Sequence, residues 1–232
     1  MDLEDFRSQL EEEHTWRQDE LRFFSNQCSN IESEQQQEQF RRAQVLLLYS
    51  HFEGFCKFAL SLYVNAINQA GVRCVDACPT LIANSISDVF GTLRNGEKKA
   101  KEFKRELPDD SKLHRFALEV EFIERTADIM QRPLEIPDNA IDLESNLKPV
   151  VLRKNLFRLG LPYAEFKKYE GQIHKLLEFR NKIAHGETKL GIDRKTYDEL
   201  SRSAFSIITE VTQLVTKAFG EKHFLADEKK PA

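Results

Sequence analysis

The segment Gln44–Asn65, QVLLLYSHFEGFCKFALSLYVN, leaves this chain few folds to choose from. Read at 3.6 residues per turn, Phe52, Phe55, Ala59 and Leu62 share one face, with Val45, Leu48 and Tyr49 a turn or more earlier. Apolar side chains occupy most of the circumference, so the helix must be a central core or interface element that others cover. Ser33 followed by Gln36 gives a capping-box start, and Gly71 a stop, so the helix should run to about Ala70. Glycine and proline are sparse, 9 and 7 among 232 residues, while charged residues make up 31%, a balance that suits long helices better than sandwiches or barrels. The expected fold class is all-α.

Along this greasy helix Ser50, Glu53, Lys57 and Ser61 form a narrow polar stripe. One reading is an exposed Glu53 to Lys57 pair at i,i+4, in the favourable orientation. The other is that the stripe faces a functional site, where Glu53 would hold a cationic side chain and Lys57 would reach a phosphate. Arg180-Asn181-Lys182-Ile183-Ala184-His185-Gly186 supplies that cation. A guanidinium holds a phosphate through two hydrogen bonds and an imidazole exchanges protons near neutral pH, so an Arg and a His together suit phosphodiester chemistry without metal. Five residues apart on a continuous helix they would diverge by about 140°. Gly186, however, stands where a left-handed residue ends a helix, which puts His185 at the final position and lets it turn back toward Arg180. The carboxyl end of a helix also favours imidazolium. Asn181, one turn below His185, can bond its ring or a phosphate. Against this stands the plain alternative that His185 only caps the helix and Arg180 pairs with Glu178 or Asp193.

The central YSHFEGFCKFAL, the later LRKNLFRLGLP and then LLEFRNKIAHG together resemble the HEPN superfamily of all-helical domains, in particular its RiboL-PSP-HEPN branch. The likeness covers roughly Gln44 to Phe219, apart from a stretch from about Cys74 to Ile141. The resemblance implies a HEPN-type helical bundle with a helical insertion between the central helix and the R-x4-H helix. It implies an R-x4-6-H ribonuclease signature at Arg180, Asn181 and His185, no cofactor, and homodimers that bring two motifs to one cleft. Roles as RNA-cleaving toxin or antiphage effector, and an antitoxin or regulatory partner protein, follow from the resemblance alone. The 2′-OH of RNA is a built-in nucleophile beside the scissile phosphate, so the enzyme would supply proton transfer and charge stabilisation. Products would be a 2′,3′-cyclic phosphate and a 5′-hydroxyl, formed in chelator and never from DNA. A rival reading is a non-catalytic HEPN module for dimerisation or nucleotide sensing, in which RNKIAHG serves the fold.

The net charge of −4 argues against a general nucleic-acid coating protein but not against a local RNA cleft. Candidate RNA contacts are Lys57, Lys182, Arg153 and Lys154, the last two in a cluster with Arg158. A second cluster comprises Lys98, Lys99, Lys101, Lys104 and Arg105. Either cluster can equally be a solvated helix face. Cys28, Cys56, Cys74 and Cys78 lack the paired spacing of a zinc site, and Cys56 reads as core packing. His14, His51, His114, His174 and His223 read as isolated surface or boundary residues. Neither a GxxxxGK[ST] nor a GxGxxG loop occurs, and no helix-turn-helix pattern suggests DNA. No uninterrupted apolar stretch approaches the roughly 20 residues of a membrane span, and the start MDLEDFRSQLEEE is acidic, so the expected location is the cytoplasm.

The remaining helices follow from periodicity. A first runs from about Leu3 to Asn26 on Phe6, Leu10, Leu21 and Phe24. Cys78-Pro79 breaks the chain before an apolar segment, Thr80 to Arg94, of undetermined type. Lys112 to Met130 carries Leu113, Phe116, Ala117, Val120 and Ile123 on one face. Pro133 and Pro137 mark a loop. A helix from Ser145 to Leu159 with Pro149 in its first turn precedes the motif helix, Tyr163 to Ile183. Asp193 caps the last helix, whose apolar surface is Leu200, Phe205, Ile208, Val211, Leu214, Val215 and Phe219. One domain over residues 1–225 is expected, with about 74–141 as the insertion and 226–232 as a disordered tail.

Overall fold

The computed structural model describes residues 1–95 and 111–230, and the described residues are helical with no β-sheet. Helices α1 (Leu3–Ser29) and α2 (Glu34–Gln69) form an N-terminal pair. Asp2 caps the first through the Asp5 N–H, and Ser33 caps the second through the Gln36 N–H. Gly71 follows α2 at φ 63°, as its stop signal required. The middle of the chain gives α3 (Pro79–Ser85), α4 (Ser87–Arg94) and α5 (Ser111–Gln131), and the last part gives α6 (Pro149–Arg158), α7 (Glu170–Ala184) and α8 (Arg194–Gly220).

Helix α2 is the axis of the core. Val45, Leu48, Tyr49, Phe52, Phe55, Cys56, Ala59, Leu60, Tyr63 and Ile67 are almost wholly buried, and α1, α7 and α8 cover it from different sides. By length and composition α2 could cross a bilayer, which the sequence reading had not credited, yet 56% of its most apolar window is buried inside the bundle. Packing against neighbouring helices therefore accounts for its hydrophobicity. Burial is also the fate of Cys56, whose thiol is pushed far above its ordinary range, chiefly by desolvation.

Several boundaries differ from expectation. Residues 145–148 lie outside α6, because Glu144 and Ser145 adopt positive φ in a turn. The first part of the expected motif helix, Tyr163–Tyr169, is a 3-10 helix, and α-helix begins only at Glu170. Residues 226–230 of the expected tail are docked: the Ala226 N–H donates to the Asp76 carbonyl, and Lys229 pairs with Asp76. The apolar face predicted for α5 points outward, with Phe116 61%, Val120 37% and Ile123 72% exposed, and the helix instead buries His114, Leu118 and Ile129. The segment 80–94 resolves into α3 and α4. The basic cluster Lys98 to Arg105 lies outside the described residues.

His51 and His114 are buried, contrary to their reading as isolated surface or boundary residues. His51 belongs to a polar cluster between α1 and α2. The Arg17 guanidinium, which also binds Glu13, lies 3.3 Å from His51 Nδ1, while Nε2 lies 2.7 Å from Glu20 Oε2. Because guanidinium only donates, Nδ1 must accept, and the imidazole is neutral with its proton on Nε2 facing the carboxylate. Burial first, then the charge of Arg17, lowers the His51 pKa from its ordinary 6.5, with Glu20 opposing. His14, wedged edge-on between Phe55 and Phe205, is lowered by burial as well.

These two rings resist protons that the unfolded chain accepts. Stability should therefore be complete above the ordinary histidine value of 6.5 and decline as the pH falls through it. Thermal melts between pH 7.5 and 5.5, about one unit either side of that value, should show a falling midpoint that His51→Gln with His14→Gln flattens. An unchanged slope in the double variant would exclude these residues as its cause.

Candidate functional site

Helix α7 ends in a Schellman arrangement. The Gly186 N–H donates to the Ile183 carbonyl and the Glu187 N–H to the Lys182 carbonyl, with Gly186 at φ 68°. This places His185 at the C-cap, φ −88° and ψ 1°, exposed to solvent. Its backbone N–H still bonds the Asn181 carbonyl, and among the described residues no hydrogen bond or ion pair reaches its ring. The chain after the cap is strapped to the first half of α2. Arg42 donates to the Thr188 carbonyl at 2.7 Å, Arg41 to the Ile192 carbonyl, and the Ile192 N–H to the Glu38 carbonyl at 3.0 Å. Gly191 makes that approach possible, since a Cβ there would stand 2.4 Å from Glu38 Cβ.

One turn earlier, half-buried Arg180 is held from two directions. Its Nη1 donates to Asn181 Oδ1 at 2.9 Å, and the guanidinium carbon lies 5.1 Å from the centroid of the Tyr49 ring. A cation over an aromatic face is attracted by the ring quadrupole. Tyr49 is fixed in turn: its hydroxyl donates to Glu53 Oε1 at 3.1 Å, and the Leu147 N–H is shared between Glu53 Oε1 at 2.7 Å and Tyr49 Oη at 2.9 Å. Burial, with the Glu53 carboxylate, pushes the Tyr49 phenol well above its ordinary value of 10, so it stays protonated and keeps donating. The Tyr49 ring thus gives Arg180 a fixed surface to lie against.

Of the polar stripe on α2, Glu53 reaches Arg180 only by way of Tyr49. Glu53 does not grip the guanidinium; the Tyr49 ring lies between them, and the carboxylate is engaged by Tyr49 and Leu147. No Glu53 to Lys57 pair forms either, and Lys57 is exposed. Asn181 orients Arg180 instead of the His185 ring. Glu178 and Asp193 are occupied elsewhere, by Lys182 and by the Thr196 N–H, and among the described residues no carboxylate lies within ion-pair distance of Arg180. The other proposed RNA contacts are neutralised. Lys182 pairs with Glu178 at 2.5 Å, Lys154 with Glu144 at 2.7 Å, and Arg153 with Glu170. In the sequence Tyr49 stands only as one apolar position of the central helix. Its i,i+4 spacing to Glu53 was the available signal, because a buried phenol needs an acceptor.

Two substitutions separate these contributions. Tyr49→Phe keeps the ring under Arg180 and loses the hydroxyl bond, so chemical denaturation should show a loss of about 1 kcal/mol. Gly191→Ala should cost about 1–3 kcal/mol by forcing the loop off α2; an unchanged denaturation midpoint would mean the loop is not held there.

A family model described as HEPN_MAE_28990-like HEPN matches residues 6–224. No functionally curated protein and no solved structure matches the chain. The superfamily is the one that YSHFEGFCKFAL and LLEFRNKIAHG resemble, and its all-helical architecture is the one observed. A general nuclease or RNA-related function goes with it. With nearly the whole chain matched, this protein belongs to the HEPN_MAE_28990-like HEPN family.

Proposed function

We propose that the chain is a metal-independent endoribonuclease whose site is Arg180 and His185. The observation that carries this reading is a guanidinium oriented by Tyr49 and Asn181 and neutralised by no carboxylate among the described residues, close in sequence to an exposed imidazole whose ring none of them engages. A cation held in place without a counter-ion is prepared for an anion, and in RNA the anion is the phosphodiester. Arg180 binds the non-bridging oxygens and stabilises the charge that builds in the phosphorane. His185 moves the proton, either from the attacking 2′-OH or to the departing 5′-oxygen.

One chain carries one such histidine, and the two proton transfers are most simply divided between two. The proposal therefore includes a homodimer that brings two Arg180/His185 sets to one cleft. Glu53 acts at a distance, through Tyr49. Lys57 is the exposed cation on α2 suited to a further phosphate, whereas Arg153, Lys154 and Lys182 must first leave their carboxylates. A toxin or antiphage role in the cytoplasm, under the restraint of an antitoxin or other regulatory protein, completes the reading.

The test is cleavage of total RNA in EDTA by wild type, His185→Ala and Arg180→Lys, with the new ends mapped. Wild type should leave 2′,3′-cyclic phosphates and 5′-hydroxyls and spare DNA. His185→Ala should reduce cleavage by about 10²–10⁴-fold, with an unchanged melting temperature because the ring supports nothing. Loss of folding in His185→Ala, or equal cleavage by it, would favour a HEPN module in which the motif serves structure.

A further inference from the structure

Helix α6 buries Val151, Leu152, Asn155 and Leu156 and turns Val150, Arg153, Lys154 and Phe157 outward, residues that recur three and four apart on one face. Two contacts fix its direction relative to the Arg180 site. At its start the Leu147 N–H bonds Tyr49 and Glu53, and Arg180 lies over the Tyr49 ring. Further along, Arg153 pairs with Glu170, at the opposite end of α7 from Arg180. The outer face of α6 therefore leads away from the Arg180 site, and Phe157 stands about 12 Å beyond Pro149 along the helix axis.

At that far end Phe157 and Tyr163 meet edge-on, ring centroids 5.4 Å apart and planes at 87°, with 55% and 44% of their surface exposed. An edge-to-face contact covers one face of one ring and the rim of the other, so ring faces remain open to a flat ligand. Arg158 follows Phe157, exposed, with its carbonyl bonded by Asn84; among the described residues no ion pair or hydrogen bond engages its guanidinium. Glu165 and Lys167, beyond Tyr163, are exposed and offset each other. Arg153 and Lys154 carry their own carboxylates and enter only by exchanging them for phosphate, so the local charge comes from Arg158. An apolar protein partner is a poor match, since Arg153 and Lys154 separate Val150 from Phe157 and interface cores are depleted of charge. Open rings beside a free guanidinium suit a single strand of nucleic acid, its bases stacking on the rings and its phosphate on the cation. We infer that Phe157, Tyr163 and Arg158 form a second RNA subsite, which takes an unpaired base of the strand whose phosphodiester lies at Arg180, a few nucleotides away. The inference rests on the reading of Arg180 and His185 as an RNA site.

The experiment is fluorescence anisotropy of the full chain with a labelled single strand of about 12 nucleotides of 2′-O-methyl RNA, whose blocked 2′-OH prevents cleavage, and with a duplex of the same length. Phe157→Ala should keep its melting temperature, because the ring is exposed, and should weaken single-strand binding by about tenfold. Phe157→Trp should restore that binding, and duplex binding should not change, since paired bases are not free to stack. Arg158→Ala should lower the slope of log affinity against log salt by about 0.7, the loss of one phosphate contact. Single-strand affinity unchanged in Phe157→Ala overturns the proposal, as does an equal loss on single strand and duplex. So does self-association of wild type that Phe157→Ala abolishes while RNA binding is retained, because the occupant would then be a second copy. The nuclease reading fails separately. A wild type that binds in this Phe157-dependent way yet cuts no RNA in EDTA ends that reading and leaves the subsite, whereas cleavage with a KM indifferent to Phe157→Ala ends the subsite alone.

Discussion

Burial of α2 from several sides at once is the constraint from which the rest of the structure follows. A helix with an apolar surface this wide cannot lie on the outside of a bundle, so α1, α7 and α8 must all pack against it. Because α7 is one of these, its C-terminal motif is delivered to the flank of α2 where Tyr49 and Glu53 stand one turn apart. The same burial creates polar needs: the Tyr49 hydroxyl, shielded from water, requires an acceptor, and Glu53 supplies it. Packing and site geometry are therefore one arrangement, in which an element that stabilises the core also provides the platform for Arg180.

Electrostatics separates the cations of this chain into two kinds. Lys154, Lys182 and Arg153 sit beside carboxylates that cancel them locally. Such exposed pairs add little stability and leave little field for a ligand. Arg180 is held by a ring face and an amide, neither of which carries charge. Its position is determined while its charge is preserved, which is what recognition of an anion requires. Arg17 is the contrasting case, a guanidinium turned inward to Glu13 and His51, where it joins α1 to α2.

Much of this was legible from residues alone. Ser33, Gly71, Asp193 and Gly186 announce helix ends through chemistry confined to a few neighbouring residues, and all four act as their types predict. The C-cap position of His185, five residues after Arg180, could be read in the same way. Where non-local contacts decide, local reading failed. Residues 163–169 took a 3-10 form, and residues 226–230 were tied down by Asp76, distant in sequence. His51 and Glu53 were recognisable as polar residues on an apolar helix, but their partners, on α1 and in the chain before α6, were not.

The sequence by itself determined that this chain is helical, where most of its helices lie, and which residues share a face, because periodicity and capping are properties of short stretches. Tertiary structure alone decided what each face meets. It put the Tyr49 ring between Glu53 and Arg180, brought the Leu147 N–H to both, strapped the loop after His185 to α2 through Gly191, and left the Phe116, Val120 and Ile123 face of α5 in water. Spacing along a helix fixes direction around its axis. Only the packing of other helices fixes which directions are inside.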